Sequence, residues 1–154
     1  MMILKETDGR DIEILMVEDN EGDARLAREA LRDGRIRNAL HHVWDGEEAL
    51  AFLRRRGEYA DAPRPDLILL DLDLPRMDGG EVLSAIKEGD EFKRIPVVIL
   101  TTSSADADIL RSYNRHANCY ITKPINMVEF LKVVTAIQDF WLTIVTLPAM
   151  RAAG

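Results

Sequence analysis

Two aspartates, Asp71 and Asp73, stand one residue apart where the apolar run LILL gives way to Leu74-Pro75. Residues two apart on an extended strand share a face, so a strand continuing this far would set two carboxylates side by side. The pair has three readings: one carboxylate is a nucleophile, both ligate a metal, or Asp-Leu-Pro is ordinary turn sequence. Other groups bear on the choice. Glu18-Asp19 follows the apolar segment IEILMV, Thr101 ends PVVILT, and Lys123-Pro124 follows NCYIT. Carboxylates converging to about 4 Å repel by roughly 4 kcal/mol per pair at an effective dielectric of about 20. A divalent cation relieves that repulsion. No histidine or thiolate stands beside these acids, and all-oxygen donors favour Mg2+ over zinc. A metal, the Lys123 ammonium, the Thr101 hydroxyl and a free carboxylate together suit phosphoryl transfer, the carboxylate attacking while the cations neutralise the phosphoryl oxygens. No Walker pattern or glycine-rich phosphate loop is present, so the phosphoryl group is expected to arrive on another molecule.

These groups can cooperate only if the fold gathers the ends of several segments. Apolar stretches at 12–17, 40–44, 66–71, 96–101 and 118–122 read as strands. The fourth is β-branched and apolar throughout, as a central parallel strand should be. Helical spacing fills the gaps. Residues 23–32 carry Leu26, Ala27, Ala30 and Leu31, and Gly34 suits the end. A second helix opens on Asp45 with Glu48 as a capping box and stops at Gly57, before a loop over 58–65 with two prolines. A third follows Gly79-Gly80 through Val82, Leu83 and Ile86, a fourth covers 105–115, and a fifth, capped by Asn126 with Glu129, runs to about residue 140. Five strands alternating with five helices predict an α/β fold: a five-stranded parallel sheet, doubly wound as a flavodoxin-like three-layer sandwich. Chemistry in such folds gathers at the carboxyl ends of the strands, where Glu18-Asp19, Asp71, Thr101 and Lys123 all fall.

The bulk properties narrow the function classes. A chain of 154 residues, 47% apolar and 31% charged, suits one ordinary globular domain. Its net charge of −7 argues against non-specific binding to DNA or RNA. The basic run Arg54-Arg55-Arg56 reads as the close of its helix, where cations suit the dipole. The lone Cys119 cannot form an internal disulfide and reads as a small core residue. The start MMILKETDGRD has no signal-peptide pattern, and FWLTIVTLPAM is too short and proline-broken to span a membrane. A cytoplasmic soluble protein is expected. His41-His42 read as a half-exposed pair away from the crevice, and His116 as a loop or helix-end residue.

Glu18-Asp19, Leu69-Leu70-Asp71 with Pro75 and Asp78-Gly79, Thr101, and Tyr120-x-x-Lys123-Pro124 resemble, in order, the receiver domain of two-component response regulators. Any one motif is weak, but five at the right strand ends are specific. The segments DGEEALAFLRRRGEYADAPRPDLILLDLDLP, RIPVVILTTSSADADI and NCYITKPIN, with the tail DFWLTIVTLP, resemble the CheY-like single-domain regulators that partner bacterial and cyanobacterial phytochrome kinases. The resemblance implies a phosphorylation-activated switch that takes phosphate from a sensor histidine kinase and catalyses only its own phosphorylation and hydrolysis. It implies Asp71 as phosphoacceptor and Mg2+ held by Asp19, Asp71 and the Asp73 backbone carbonyl, with Glu18 acting through water. Lys123 would pair with the phosphoryl oxygens, the bond to Pro124 would be cis, and Thr101 and Tyr120 would form the switch. Asp73 stands where the family often has asparagine, so with Ser103 it is expected to tune dephosphorylation.

Residues 1–11 are then an N-terminal extension, 12–140 the receiver domain and 141–154 a C-terminal extension, with no DNA-binding output segment. Met127, Val128, Phe130, Leu131, Val133, Val134, Ile137, Phe140 and Trp141 surround the last helix instead of forming one stripe. Only one face can pack on the sheet, so Phe140, Trp141 and Ile144 are expected to form a homodimer contact. Two other functions stand beside the receiver. Asp71-Leu72-Asp73 matches the D-x-D of haloacid-dehalogenase-like phosphatases, although there the motif normally ends the first strand and a cap domain is present. A dimeric interaction module that works without phosphate is the other, against which the intact acid, threonine and lysine set argues.

Overall fold

The computed structural model describes residues 11–34, 37–75, 77, 79–102, 119–123 and 126–136. Five strands form one parallel sheet: β1 (Ile12–Val17), β2 (Asn38–Val43), β3 (Leu67–Asp71), β4 (Val97–Thr101) and β5 (Cys119–Thr122), in the spatial order β2-β1-β3-β4-β5. Four helices are described: α1 (Glu21–Asp33), α2 (Gly46–Leu53), α3 (Gly79–Glu88) and α4 over 127–136. The helix expected over 105–115 falls outside the described residues.

Alternation along each central strand splits the core in two. Ile14 and Met16 of β1, Leu67 and Leu69 of β3, and Val98 and Leu100 of β4 face Ala24, Ala27, Ala30 and Leu31 of α1 and Phe130 and Val134 of α4. The intervening residues Leu15, Val17, Ile68, Leu70, Val97 and Ile99 face Ala49, Leu50, Phe52 and Leu53 of α2 and Val82, Leu83 and Ile86 of α3. Covering both faces is what allows β3 and β4 to be apolar at nearly every position. The predicted fold class is therefore observed.

α2 and α4 open on the capping residues expected from the sequence, whereas α1 opens at Glu21 behind Asn20, two residues ahead of the expected 23. Asn20 Oδ1 accepts from the Asp23 amide at 2.9 Å, Asp45 Oδ1 from the Glu48 amide at 2.8 Å and Asn126 Oδ1 from the Glu129 amide at 3.0 Å. Around α2 two details differ. The returning Glu48 carboxylate takes the Trp44 amide, at 3.0 Å. The helix also ends at Leu53, well short of Gly57. Arg55 adopts a left-handed backbone (φ 54°). This lets its amide bond to the Phe52 carbonyl and the Arg56 amide to the Ala51 carbonyl, a Schellman ending with arginine where glycine is usual. Residues 57–59, overlapping the start of the loop expected over 58–65, form a short 3-10 turn, and β2 spans Asn38–Val43 where 40–44 was expected.

Candidate functional site

Strand order sets the place of the site. From β1 the chain crosses to β2 on one side and then to β3 on the other, so the carboxyl ends of β1 and β3 flank the topological switch point. Val17 pairs with Leu70, which puts Glu18 level with Asp71. Thr101 pairs with Thr122, and the Lys123 amide donates to the Thr101 carbonyl at 2.7 Å, carrying the ladder one residue further. Carboxylate, hydroxyl and amine are thus delivered to one end of the sheet by register alone.

The strand does not continue to Asp73. β3 stops at Asp71 because the chain turns there: Asp71 Oδ1 accepts from the Asp73 amide at 2.9 Å, and the Gly79 amide bonds to the Leu72 carbonyl at 3.1 Å. Asp71 is buried, while Asp73 is exposed with its Oδ2 accepting from the Thr102 hydroxyl at 3.1 Å. Paired carboxylates on one strand face, the arrangement a D-x-D enzyme reading invites, do not form.

Three other carboxylates do converge. Oxygens of Glu18, Asp19 and Asp71 lie within 4.8 Å of one another, Glu18 and Asp71 buried and Asp19 exposed. Lys123 enters from β5 with its side chain only 8% exposed, 2.8 Å from Glu18 Oε1, 2.9 Å from Asp23 Oδ2 and 3.3 Å from Asp71 Oδ2. Burial alone would lower the lysine pKa, but the carboxylates of Glu18 and Asp23 outweigh it and hold the ammonium above its ordinary range. Glu18 moves the other way for an acid. Burial first, then the adjoining Asp71 carboxylate, push it up to about 8 against the pull of Lys123. Among the described residues, one ammonium does not balance the acids around it. A compact all-oxygen donor set with surplus negative charge fits a hard divalent cation.

Thr101 is fully buried at the end of β4, and Tyr120 is partly buried against the α2–α3 side of the core. Ser103, Pro124, Phe140, Trp141, Ile144 and His116 lie outside the described residues, as does Asp78. The sequence reading missed two participants. Asp23, read only as the start of α1, is a partner of Lys123. His42, expected away from the crevice, donates from Nε2 to the Glu18 carbonyl at 2.8 Å, while His41 pairs with Glu13 at 2.7 Å. Both follow from strand register and helix placement, which no local spacing encodes.

Comparison with known proteins agrees with this geometry. Residues 14–135 match the response regulator receiver domain. The chain is similar to response regulator Rcp1 of Synechocystis sp. (strain ATCC 27184 / PCC 6803 / Kazusa), 52% identical over 88% of this chain and 92% of that protein. Among solved structures it resembles the phosphorylated cyanobacterial phytochrome response regulator RcpA, with TM-score 0.73 and 52% identity over 86% of this chain and 94% of that one. It also resembles the Mn2+-bound form of Rcp1, with TM-score 0.72 and 50% identity over 85% and 94%. With the carboxylates, threonine and lysine at the strand ends where the sequence motifs put them, and a match over most of its length, the chain belongs to the response regulator receiver family.

Proposed function

We propose that the chain is a phosphorylation-activated response regulator that accepts a phosphoryl group on Asp71 from a sensor histidine kinase of the phytochrome type, in a Mg2+-dependent reaction. The single observation that carries it is the buried Asp71 carboxylate set beside Glu18, Asp19 and Lys123 at the switch point of the sheet. The similarity to RcpA, described as a phytochrome response regulator, supports the choice of kinase.

Asp19 and Asp71 would hold the cation directly, the Asp73 carbonyl would add a third protein oxygen, and Glu18 would reach it through water. When bound, the cation supplies charge neutralisation at the phosphoryl oxygens. The chain's own residues do the rest. An Asp71 carboxylate oxygen attacks the phosphorus of the phosphoimidazole, whose other ring nitrogen carries a proton; the phosphorus–nitrogen bond breaks, and the kinase histidine takes the electron pair and leaves as neutral imidazole. Lys123 pairs with a phosphoryl oxygen, and the Thr101 hydroxyl donates to another. Tyr120 then shifts its packing, giving the two-position element a charge-triggered switch needs. In the return step water attacks the phosphorus and the phosphorus–oxygen bond to Asp71 breaks, releasing phosphate and regenerating the carboxylate; Asp73 faces that water, and Ser103 is the other residue that tunes the step. Residues 12–140 form this unit, and the extension from 141 joins two copies through Phe140, Trp141 and Ile144. The chain acts on no separate substrate.

The test is phosphotransfer from an autophosphorylated phytochrome-type kinase. Label should leave the kinase and appear on wild type but not on Asp71→Asn. Label retained by the kinase, or equal transfer to the variant, would contradict the assignment.

A further inference from the structure

Lys123 has three N–H donors and meets three carboxylates, at unequal distances. Glu18 and Asp23 hold it at 2.8 and 2.9 Å, while Asp71 stands off at 3.3 Å. Two of the three contacts therefore draw the ammonium toward β1 and the start of α1, away from the acceptor. Glu18 is in place for this by strand register. Asp23 is not a strand residue, and its orientation has its own cause.

An acidic side chain three residues after an N-cap commonly turns back to the cap residue's amide. Here the Asn20 amide is directed to Glu18 Oε2, at 3.2 Å, and Asn20 Oδ1 fixes the Asp23 backbone by accepting from its amide. The Asp23 carboxylate is left to project over the sheet end onto Lys123. Its side chain is 22% exposed and that of Lys123 8%, so the pair is shielded far better than the surface ion pairs that contribute little.

We propose that Asp23 is a positioning residue that holds the Lys123 ammonium off Asp71, leaving the acceptor carboxylate free to ligate a divalent cation. This rests on the phosphoacceptor reading above. Without the Asp23 charge, Lys123 keeps its contact with Glu18 at 2.8 Å, and its freed N–H turns to the other carboxylate in reach, Asp71 at 3.3 Å. An ammonium seated there competes directly with a cation for the same oxygen. Asp23 thus acts on the site through Lys123, and removing Lys123 should remove the effect of Asp23.

The experiment is Mn2+ binding, read from the free-ion electron paramagnetic resonance signal. The variants are wild type, Asp23→Asn, Asp23→Glu, Lys123→Met and the double Asp23→Asn/Lys123→Met, with circular dichroism melts checking that each folds. Asp23→Asn is expected to weaken Mn2+ binding roughly five- to tenfold, the scale of a partly shielded charge contact. Asp23→Glu should restore most of the loss, and in the Lys123→Met background Asp23→Asn should change affinity by less than about twofold. Unchanged binding in Asp23→Asn overturns the proposal. So does an equal loss with and without Lys123, which would mark Asp23 as simple local charge. Either result, in a wild type that binds Mn2+ and is phosphorylated on Asp71, leaves the phosphoacceptor reading standing. A wild type that does neither overturns both.

Discussion

At the scale of single residues, the site is organised by an imbalance of charge. Glu18 carries the clearest consequence, because burial and then Asp71 push its pKa up to about 8 from 4.5. The folded, metal-free chain therefore holds a proton that the unfolded chain has lost between those values. Where the folded state binds more protons, stability falls as pH rises. In EDTA, the urea midpoint should drop between about pH 6 and about pH 8 by more in wild type than in Glu18→Gln, and saturating Mg2+ should flatten the difference. Identical slopes in the two proteins would show that Glu18 is not carrying the proton. Asp73 gives a second prediction. Its carboxylate is exposed and steered by the Thr102 hydroxyl, and in the proposed function it faces the water that attacks phospho-Asp71. Asparagine keeps an acceptor for Thr102 but cannot take a proton, so Asp73→Asn should slow loss of the acyl phosphate by roughly three- to tenfold, the lower range of base assistance. An unchanged decay rate after removal of the phosphodonor would exclude this role.

At the scale of elements, Gly79 at the start of α3 packs closely on the backbone of the acceptor. A Cβ on Gly79 would stand 2.5 Å from the Asp71 carbonyl oxygen and 2.6 Å from the Leu72 Cα. Both obstacles are backbone, so one of the two segments must move. Gly79→Ala should cost about 1–3 kcal/mol, the usual range for overpacking, and should weaken Mg2+ binding because one of the atoms in the way is the Asp71 carbonyl oxygen. A melting temperature and Mg2+ affinity both equal to wild type would show that the loop yields freely. The same elements explain what could be read from the chain beforehand. Strand and helix types were legible because β3 and β4 are apolar throughout, α1 has helix-spaced apolar residues, and α2 and α4 open on capping residues. The end of α2 was not, because the pattern of apolar residues says nothing about Arg55 taking a left-handed backbone. The Asp71, Asp19 and Lys123 assembly was legible because parallel strands in a doubly wound sheet must send their carboxyl ends to one edge. Asp23 and His42 were hidden because their roles depend on how α1 and β2 lie against β1, a tertiary matter with no local signature.

At the scale of the whole molecule, the question is what the last helix packs against. Phe130 and Val134 of α4 are fully buried on the sheet, whereas Val128 is 63% exposed. An apolar residue on the outer face, ahead of the apolar segment with Phe140, Trp141 and Ile144, favours a second copy as partner. Light scattering at tens of micromolar should report a dimer that becomes a monomer in Trp141→Glu/Ile144→Glu with Asp71 phosphorylation retained; a monomeric wild type would remove the dimer from the account. The central claim concerns the acceptor itself, and the most direct measurement is intact-protein mass after incubation with acetyl phosphate and Mg2+. Wild type should gain one labile phosphoryl group, lose it with time, and gain none in EDTA, while Asp71→Asn gains none under any condition. An adduct of equal yield in Asp71→Asn, or a wild type that neither gains mass nor binds beryllofluoride, would contradict the assignment of Asp71.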